Sequence, residues 1–328
     1  MATIKEIANI VGVSSAAVSR VLNYDETISV SAETREAIFK TAEEIGYKKK
    51  VVYPKIENVA LLYWVTEEEE LEDIYYQTLY KEILSYAKKV NVHINVVTKK
   101  DGLSSVSKET TAFIAIGWFS RKELDQLYKK CKKGVFINSS PDEKLFDAVR
   151  PNFDSFVTQM VDYFVEKGHK DIGFVGMYDK DINTGEPVMD VREWSFRQSM
   201  LYYNLLDDAF VYLTEHTTVK EGYRMGLEIC ARKSLPTALV VASDTLAVGV
   251  LQALNEKGVR IPEDVSVFSI NDVSVARYVS PPLTSFHIDI PTICESAVSL
   301  LREQVTAKRA VTKTVMINGT PHFRNSCT

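Results

Sequence analysis

From Val59 onward the chain repeats one rhythm: a short apolar run, an amphipathic stretch, then another run. Eight runs stand out: VALLYWV (59–65), HINVVT (93–98), AFIAIGW (112–118), GVFIN (134–138), DIGFVGM (171–177), AFVYL (209–213), ALVVAS (238–243) and VSVFSI (265–270). Most stretches between them carry helical spacing, as in Tyr76, Tyr80, Ile83, Leu84 and Ala87, or Val157, Met160, Val161 and Phe164. Short apolar runs of this kind suit strands buried on both faces. Alternation with helices then means βαβ units and a parallel sheet. Eight such units exceed one mononucleotide-type fold. The spacing therefore predicts two similar subdomains, with the first boundary near 150–160.

The totals agree with a soluble globular protein. The 328 residues are 45% hydrophobic and 25% charged, enough for two or three domains. No apolar run approaches the ~18 residues of a membrane helix. The opening MATIKEIANI lacks a basic stretch followed by an apolar one, so a cytoplasmic, membrane-free protein is expected. Cys131, Cys230, Cys294 and Cys327 are widely spaced and form no CxxC pair, which argues against a zinc site or a disulfide framework. A net charge of −5 does not itself suggest nucleic acid, although binding depends on where the charges point.

The first 46 residues follow a different pattern. Ile4, Ile7, Ala8 and Val11 form one helical stripe, with Thr3 placed to cap it. Gly12 follows, where a tight turn needs positive φ, and Ser14 stands at the N-cap of a second helix. Val18, Val21 and Leu22 make that helix's buried side; Ser15, Ala16, Ser19 and Arg20 lie opposite. Ser31 caps a third helix with Ile38, Ala42 and Ile45 inward. This is helix-turn-helix spacing. Short side chains on the second helix let its axis approach a major groove, and Arg20 is long enough to reach guanine O6 and N7. A small helical cap with solvated serines has the same periodicity. The charge of residues 1–50, seven bases against seven acids, does not decide between them.

In the body, ligands of open α/β sheets bind at the carboxyl ends of strands. That singles out Trp118, Ser243, Asp244, Asn271 and Asp272, with Arg192 early in a helix. An aromatic face and such hydrogen-bonding groups suit a sugar. Each has a plainer role open to it: core for Trp118, a helix cap for Asp244, a turn for Asn271–Asp272, a surface charge for Arg192. His216 is a further candidate for the cleft.

TIKEIANIVGVSSAAVSRVLN, followed by ISVSAETREAIFKTAEEIGY, closely resembles the DNA-binding head of the lactose-repressor (LacI/GalR) family. The resemblance implies that Ser15, Ala16 and Arg20 read bases. It places Thr3, Ser14, Ser19, Asn23, Ser29 and Thr34 near phosphates. It continues through GHKDIGFVG, VREWSF, ALVVASDTLAVGVLQALNEKGVRIPEDVSVFSIND and PPLTSFHID, which look like the family's effector-binding core. The implied fold is α/β: a three-helix helix-turn-helix head (1–47), a linker (48–58), and a two-subdomain, periplasmic-binding-protein-like body with parallel sheets (59–328). The Arg matching Arg192 holds ligand hydroxyls or a carboxylate in that family. Asn271 replaces the usual Asp and Ser243 the usual Asn, so the resemblance does not fix the ligand; Ser195 stands where the family mostly has Gly, which would narrow the space beside Arg192. VREWSF, VASDTLAVGVL and INDVSVARYVSPPL look closest to regulators of β-galactosidase and galactose operons.

The linker departs from the family. Lys48, Lys49 and Lys50 suit phosphate contacts, but the usual Ala–x–x–Leu helix that wedges into the minor groove is missing. Val51, Val52 and Pro54 favour extended backbone, so weaker DNA bending is expected.

The expected protein is thus a homodimeric repressor on a pseudo-palindromic double-stranded operator, released by galactose or a galactoside. An activator, or a corepressor-dependent regulator answering another sugar or sugar phosphate, has the same sequence features. A sugar-modifying enzyme with a helical appendage would need a phosphate loop or paired catalytic groups, and neither is present. The five histidines lack metal-ligand spacing, so neither metal nor cofactor is expected. The acids of EEEELED (67–73) suit a solvated loop.

Overall fold

A computed structural model describes residues 2–25, 27–47, 53–66, 74–307 and 309–328. Lys48–Val52 and the 67–73 acids lie outside the described residues. The chain forms two compact units, Met1–Pro54 and Lys55–Thr328.

The first unit is three helices: α1 (Ile4–Val11), α2 (Ser15–Leu22) and α3 (Ala32–Glu44). Local chemistry sets four of the six boundaries. Thr3 and Glu6 form a reciprocal capping box, Glu6 N to Thr3 Oγ1 at 3.2 Å and Thr3 N to Glu6 Oε2 at 2.7 Å. Gly12 takes φ 78°, left-handed backbone that favours glycine. Ser14 accepts from Ala17 N and Ser31 from Thr34 N, each at 3.1 Å. Ile7, Ala8, Val18, Val21, Ile38 and Ala42 make the small core between the helices.

The second unit begins with β1 (Ile56–Trp64), α4 (Ile74–Lys89), β2 (Val92–Thr98), β3 (Ala112–Gly117), α5 (Arg121–Lys130), β4 (Gly134–Ile137) and β5 (Asp147–Pro151). The chain then crosses to a second subdomain: α6 (Phe153–Glu166), β6 (Ile172–Met177), a two-stranded hairpin of β7 (Asp179–Lys180) and β8 (Pro187–Val188), α7 (Val191–Tyr202), β9 (Val211–Thr214), α8 (Val219–Cys230), β10 (Ala238–Val241), α9 (Asp244–Glu256), β11 (Ser266–Asn271) and β12 (Thr284–His287). It returns through α10 (Ile290–Thr306), which packs on α4 and on β3, β4 and β5. β13 (Thr314–Ile317) completes the first sheet, and β14 (Thr320–His322) the second.

The first sheet has the order β13-β5-β4-β3-β1-β2, all parallel. The second has the order β14-β12-β11-β10-β6-β9, parallel except where β14 pairs antiparallel with β12. All eight apolar runs carry a strand. β5, β7, β8, β12, β13 and β14 fall outside the eight runs; each is five residues or shorter, too short to leave a clear apolar run. Asp147 in β5 is fully buried, held by Arg309 and by Lys313 N at 2.7 Å, a cost of burial that hydrogen bonds offset. In α4 the inward residues are Tyr75, Leu79, Ile83 and Ala87 rather than the stripe through Tyr76, Tyr80 and Leu84.

Three segments cross between the subdomains and bind one another. Asn152 N donates to Ile317 O, and Asn152 Nδ2 to Asn318 Oδ1, both at 2.9 Å. Gly319 runs so close to the second crossing that a Cβ there would sit 2.6 Å from His287 O.

Candidate DNA-reading face and effector cleft

On the head, α2 leaves Ser15, Ala16 and Arg20 exposed, with Ser19 half-buried. These four share the face opposite Val18 and Val21, as the periodicity requires. The hydroxyls of Thr3 and Ser14 serve as helix caps, and the Thr34 hydroxyl lies 2.9 Å from that of Ser31. Asn23 Nδ2 donates to Ser19 O at 2.6 Å, while Ser29 is exposed. Arg20 is not a loose side chain: its Nε donates to Asp25 Oδ2 at 2.7 Å and its Nη2 to Thr27 Oγ1 at 2.8 Å. Lys48, Lys49 and Lys50 fall outside the described residues.

In the body, the strand ends of both sheets meet around Arg192. Asp190 caps α7 by accepting from Arg192 N at 2.8 Å, and the same carboxylate takes Arg192 Nε at 2.7 Å and Nη2 at 2.8 Å. Burial alone would raise the Asp190 carboxyl; the Arg192 charge wins and holds it below the usual range. Arg192 Nη1 reaches Ala242 O at 3.2 Å, at the end of β10. The guanidinium lies 4.7 Å over the ring of Phe153, the first residue after the crossing into α6.

Other expected ligand residues are placed differently. Ser243 is buried, and its Oγ caps α9 by accepting from Leu246 N at 3.3 Å. The structure corrects the expectation for Asp244. Its carboxylate is fully buried inside the second subdomain, accepting from Ser285 Oγ at 2.7 Å, Val273 N at 2.7 Å and Ser269 Oγ. Asp272 is corrected likewise: its carboxylate takes Arg324, His322 Nδ1 at 2.7 Å and His287 Nδ1 at 3.2 Å. Asn271 is half-buried at the end of β11, with φ 114°. Ser195 turns its hydroxyl to Asp154 on α6, at 2.8 Å, rather than beside Arg192. His216 is exposed after β9.

Trp118 has an unexpected partner. Its Nε1 donates to Lys180 O at 3.1 Å, in the β7–β8 hairpin of the other subdomain. Arg121 N donates to Ile182 O at 2.6 Å, and Ile182 packs against the aromatic core of the first subdomain. The hairpin is thus a strap from one subdomain onto the other. Its ten exposed or half-buried residues gave no apolar signal in the sequence.

Among the described residues, Asp272, His287 and His322 bring one carboxylate oxygen and two imidazole nitrogens within 4.8 Å of one another. Both imidazoles already donate to that oxygen, and Arg324 sets a positive charge beside it. The arrangement is a hydrogen-bonded tie between β11, β12 and β14, where the chain crosses the subdomains. No helix among the described residues is long and apolar enough to cross a membrane.

Residues 3–50 match the model for bacterial regulatory proteins of the lacI family, and residues 161–327 that for periplasmic binding protein-like domains. The chain is 47% identical to the HTH-type transcriptional regulator GanR of Bacillus subtilis (strain 168) over 328 residues, 99% of both chains. It belongs to the LacI family. The HTH-type transcriptional regulator GalR of Streptococcus thermophilus is 34% identical, again over 99% of both chains. A transcriptional regulator CelR–cellobiose complex superposes with a TM-score of 0.71 at 21% identity, covering 99% of this chain and 100% of that one. A lac repressor dimer bound to operator and the anti-inducer ONPF gives 0.68 at 17%, covering 99% and 98%. This LacI-family chain is a helix-turn-helix transcriptional regulator and not an enzyme.

Proposed function

We propose that this regulator represses a sugar-utilisation operon from a pseudo-palindromic operator, as a cytoplasmic homodimer, and that a galactose-type sugar releases it. The reading of the ligand rests on one arrangement: an arginine at the cleft already neutralised by Asp190 and lying over Phe153. A second anion would compete with Asp190 for the same guanidinium edge. A neutral, hydroxyl-rich ligand accepts hydrogen bonds from the remaining N–H groups and packs its C–H face on an aromatic ring. That favours a free sugar over a sugar phosphate.

One head touches few base pairs, so specificity calls for two heads on two half-sites. Ser15, Ala16 and Arg20 are the proposed base readers; the caps of α1 and α2, with Lys48–Lys50, are the proposed phosphate contacts. Arg192, Asn271 and Trp118 are the proposed ligand groups. Sugar binding between the subdomains shifts their equilibrium, and coupling to DNA must be reciprocal.

The test is DNA affinity for the region upstream of this gene and of neighbouring sugar genes, at fixed salt, with and without galactose. Loss of a tight complex on adding galactose supports the reading. Tight binding untouched by galactose overturns the effector while leaving DNA binding in place.

A further inference from the structure

We propose that Asp25 is a positioning residue for DNA reading: it grips one edge of the Arg20 guanidinium so that the other edge is presented ready-aligned to a guanine. The proposal rests on the reading that α2 enters the major groove.

The chain leaves α2 at Asn23 and turns sharply at Tyr24, whose φ of 55° is left-handed backbone unusual for an aromatic residue. Two contacts hold that turn. The Tyr24 ring stacks on Phe39 of α3, centroids 5.4 Å apart. Asp25 N donates back to Arg20 O at 3.0 Å. The turn thereby returns the Asp25 carboxylate to the side of the helix from which Arg20 projects.

The carboxylate is itself fixed. Oδ1 accepts from Thr27 N at 2.9 Å and from Thr27 Oγ1 at 2.6 Å, leaving Oδ2 for Arg20 Nε at 2.7 Å. Thr27 Oγ1 in turn accepts from Arg20 Nη2 at 2.8 Å. The guanidinium, the carboxylate and the Thr27 hydroxyl close a ring of hydrogen bonds. Thr27 and then Arg20 hold the Asp25 carboxyl at about 2, so it is ionised throughout the neutral range.

The ring has a consequence for recognition. A guanidinium is a planar fork, and guanine O6 and N7 need two parallel N–H groups on one edge. Nε and one side of Nη2 face Asp25 and Thr27. Among the described residues Nη1 makes no hydrogen bond, and the Arg20 side chain is half exposed, which leaves the edge formed by Nη1 and Nη2 for a ligand. A free arginine would lose its rotamer freedom on binding; here much of that ordering precedes contact. An acid beside a DNA-facing helix is otherwise unfavourable, since it repels phosphates. Its effect should therefore be opposite on specific and random DNA.

The experiment uses the full-length regulator. Duplexes are selected from a random pool with the wild type. Affinities are then measured at fixed salt for the selected duplex, its single-base variants and a random duplex. Arg20→Ala identifies the base pair that Arg20 reads. Asp25→Ala should lower discrimination at that pair by about tenfold, while affinity for random DNA is unchanged or rises. Asp25→Asn, which keeps one acceptor, should fall between, and Thr27→Val should weaken discrimination at the same pair. Unchanged discrimination in Asp25→Ala, with Arg20→Ala impaired, overturns this inference alone. A uniform loss on every duplex, with a lower melting temperature of the head, makes Asp25 merely structural and also overturns it. If Arg20→Ala leaves discrimination intact, the base-reading role of α2 falls, and this proposal with it.

Discussion

Asp190 and Arg192 stand two residues apart at the start of α7 and meet along a full edge, Nε to Oδ1 at 2.7 Å and Nη2 to Oδ2 at 2.8 Å, with only 14% and 10% of the Arg192 and Asp190 side chains exposed. The pair fixes both the position of the guanidinium and its charge. Arg192→Ala should weaken effector binding about 10- to 100-fold, the worth of a hydrogen bond to a charged group, while operator affinity without effector stays within about twofold of wild type. Calorimetric titration with the effector checks this; a normal titration would remove Arg192 from the pocket. Asp190→Asn leaves the guanidinium uncompensated. An anionic analogue such as a sugar acid should then gain affinity relative to the neutral sugar.

Burial pushes the Asp244 carboxyl up to about 7, even though Ser269, Ser285 and Val273 N all donate to it. Three donors favour the ionised form, but full desolvation outweighs them. The sign for stability follows. The folded state holds a proton that the unfolded chain releases between about pH 4 and 7. From this group, stability is greatest below that window, falls as pH rises through it, and is flat above about 7. The total is on the order of a few kcal/mol. Urea melts from pH 5 to 8 should show the decline, and Asp244→Asn should flatten it. An unchanged slope in the variant would assign the decline to other groups.

The sequence made the repeating elements legible because burial on both faces leaves a strong mark: every long apolar run became a strand. The head was legible for a different reason. Thr3, Gly12, Ser14 and Ser31 sit at caps whose chemistry is local, so four residues fix four of the six helix boundaries. Contacts between distant segments left no such mark. Asp244 and Asp272 stand at strand ends, where a ligand group belongs, yet Ser285 and Arg324, 41 and 52 residues away, draw their carboxylates inward. The strap was illegible because its bonds run through backbone carbonyls of Lys180 and Ile182. Asp190, absent from the residues singled out at strand ends, did carry a readable signal: an acid two positions before Arg192, at the N-cap of the same helix.

α8 and α9 cross with their backbones nearly touching, which glycine alone permits. A Cβ at Gly249 would lie 2.0 Å from Val219 O and 2.4 Å from Tyr223 N; one at Gly222 would lie 2.1 Å from Leu246 O. Both clashes are with backbone, so no side chain can give way. Alanine gains up to ~1 kcal/mol over glycine in a helix interior, but overpacking typically costs ~1–3 kcal/mol and more where backbone must move. Gly249→Ala should therefore destabilise the body. Thermal melts of the purified variant should show a drop of several degrees, and Gly249→Val a larger one. A rise in melting temperature would mean that the helices part freely.

Arg324 secures the tie at the crossings. Its Nη2 binds Asp272, and its Nη1 donates to Leu283 O at 2.6 Å. The Asp272 carboxylate is wholly buried, so removing its cation leaves a desolvated charge held only by two imidazoles. Breaking one side of a buried pair costs ~3–5 kcal/mol. Arg324→Gln should show a loss of that order in urea melts. Asp272→Asn should restore part of it in the double variant, because a neutral amide no longer needs the cation. The coupling energy of that cycle measures the pair itself. Two losses that simply add would place the stabilisation elsewhere, in the Leu283 bond and in the packing of β14 on β12.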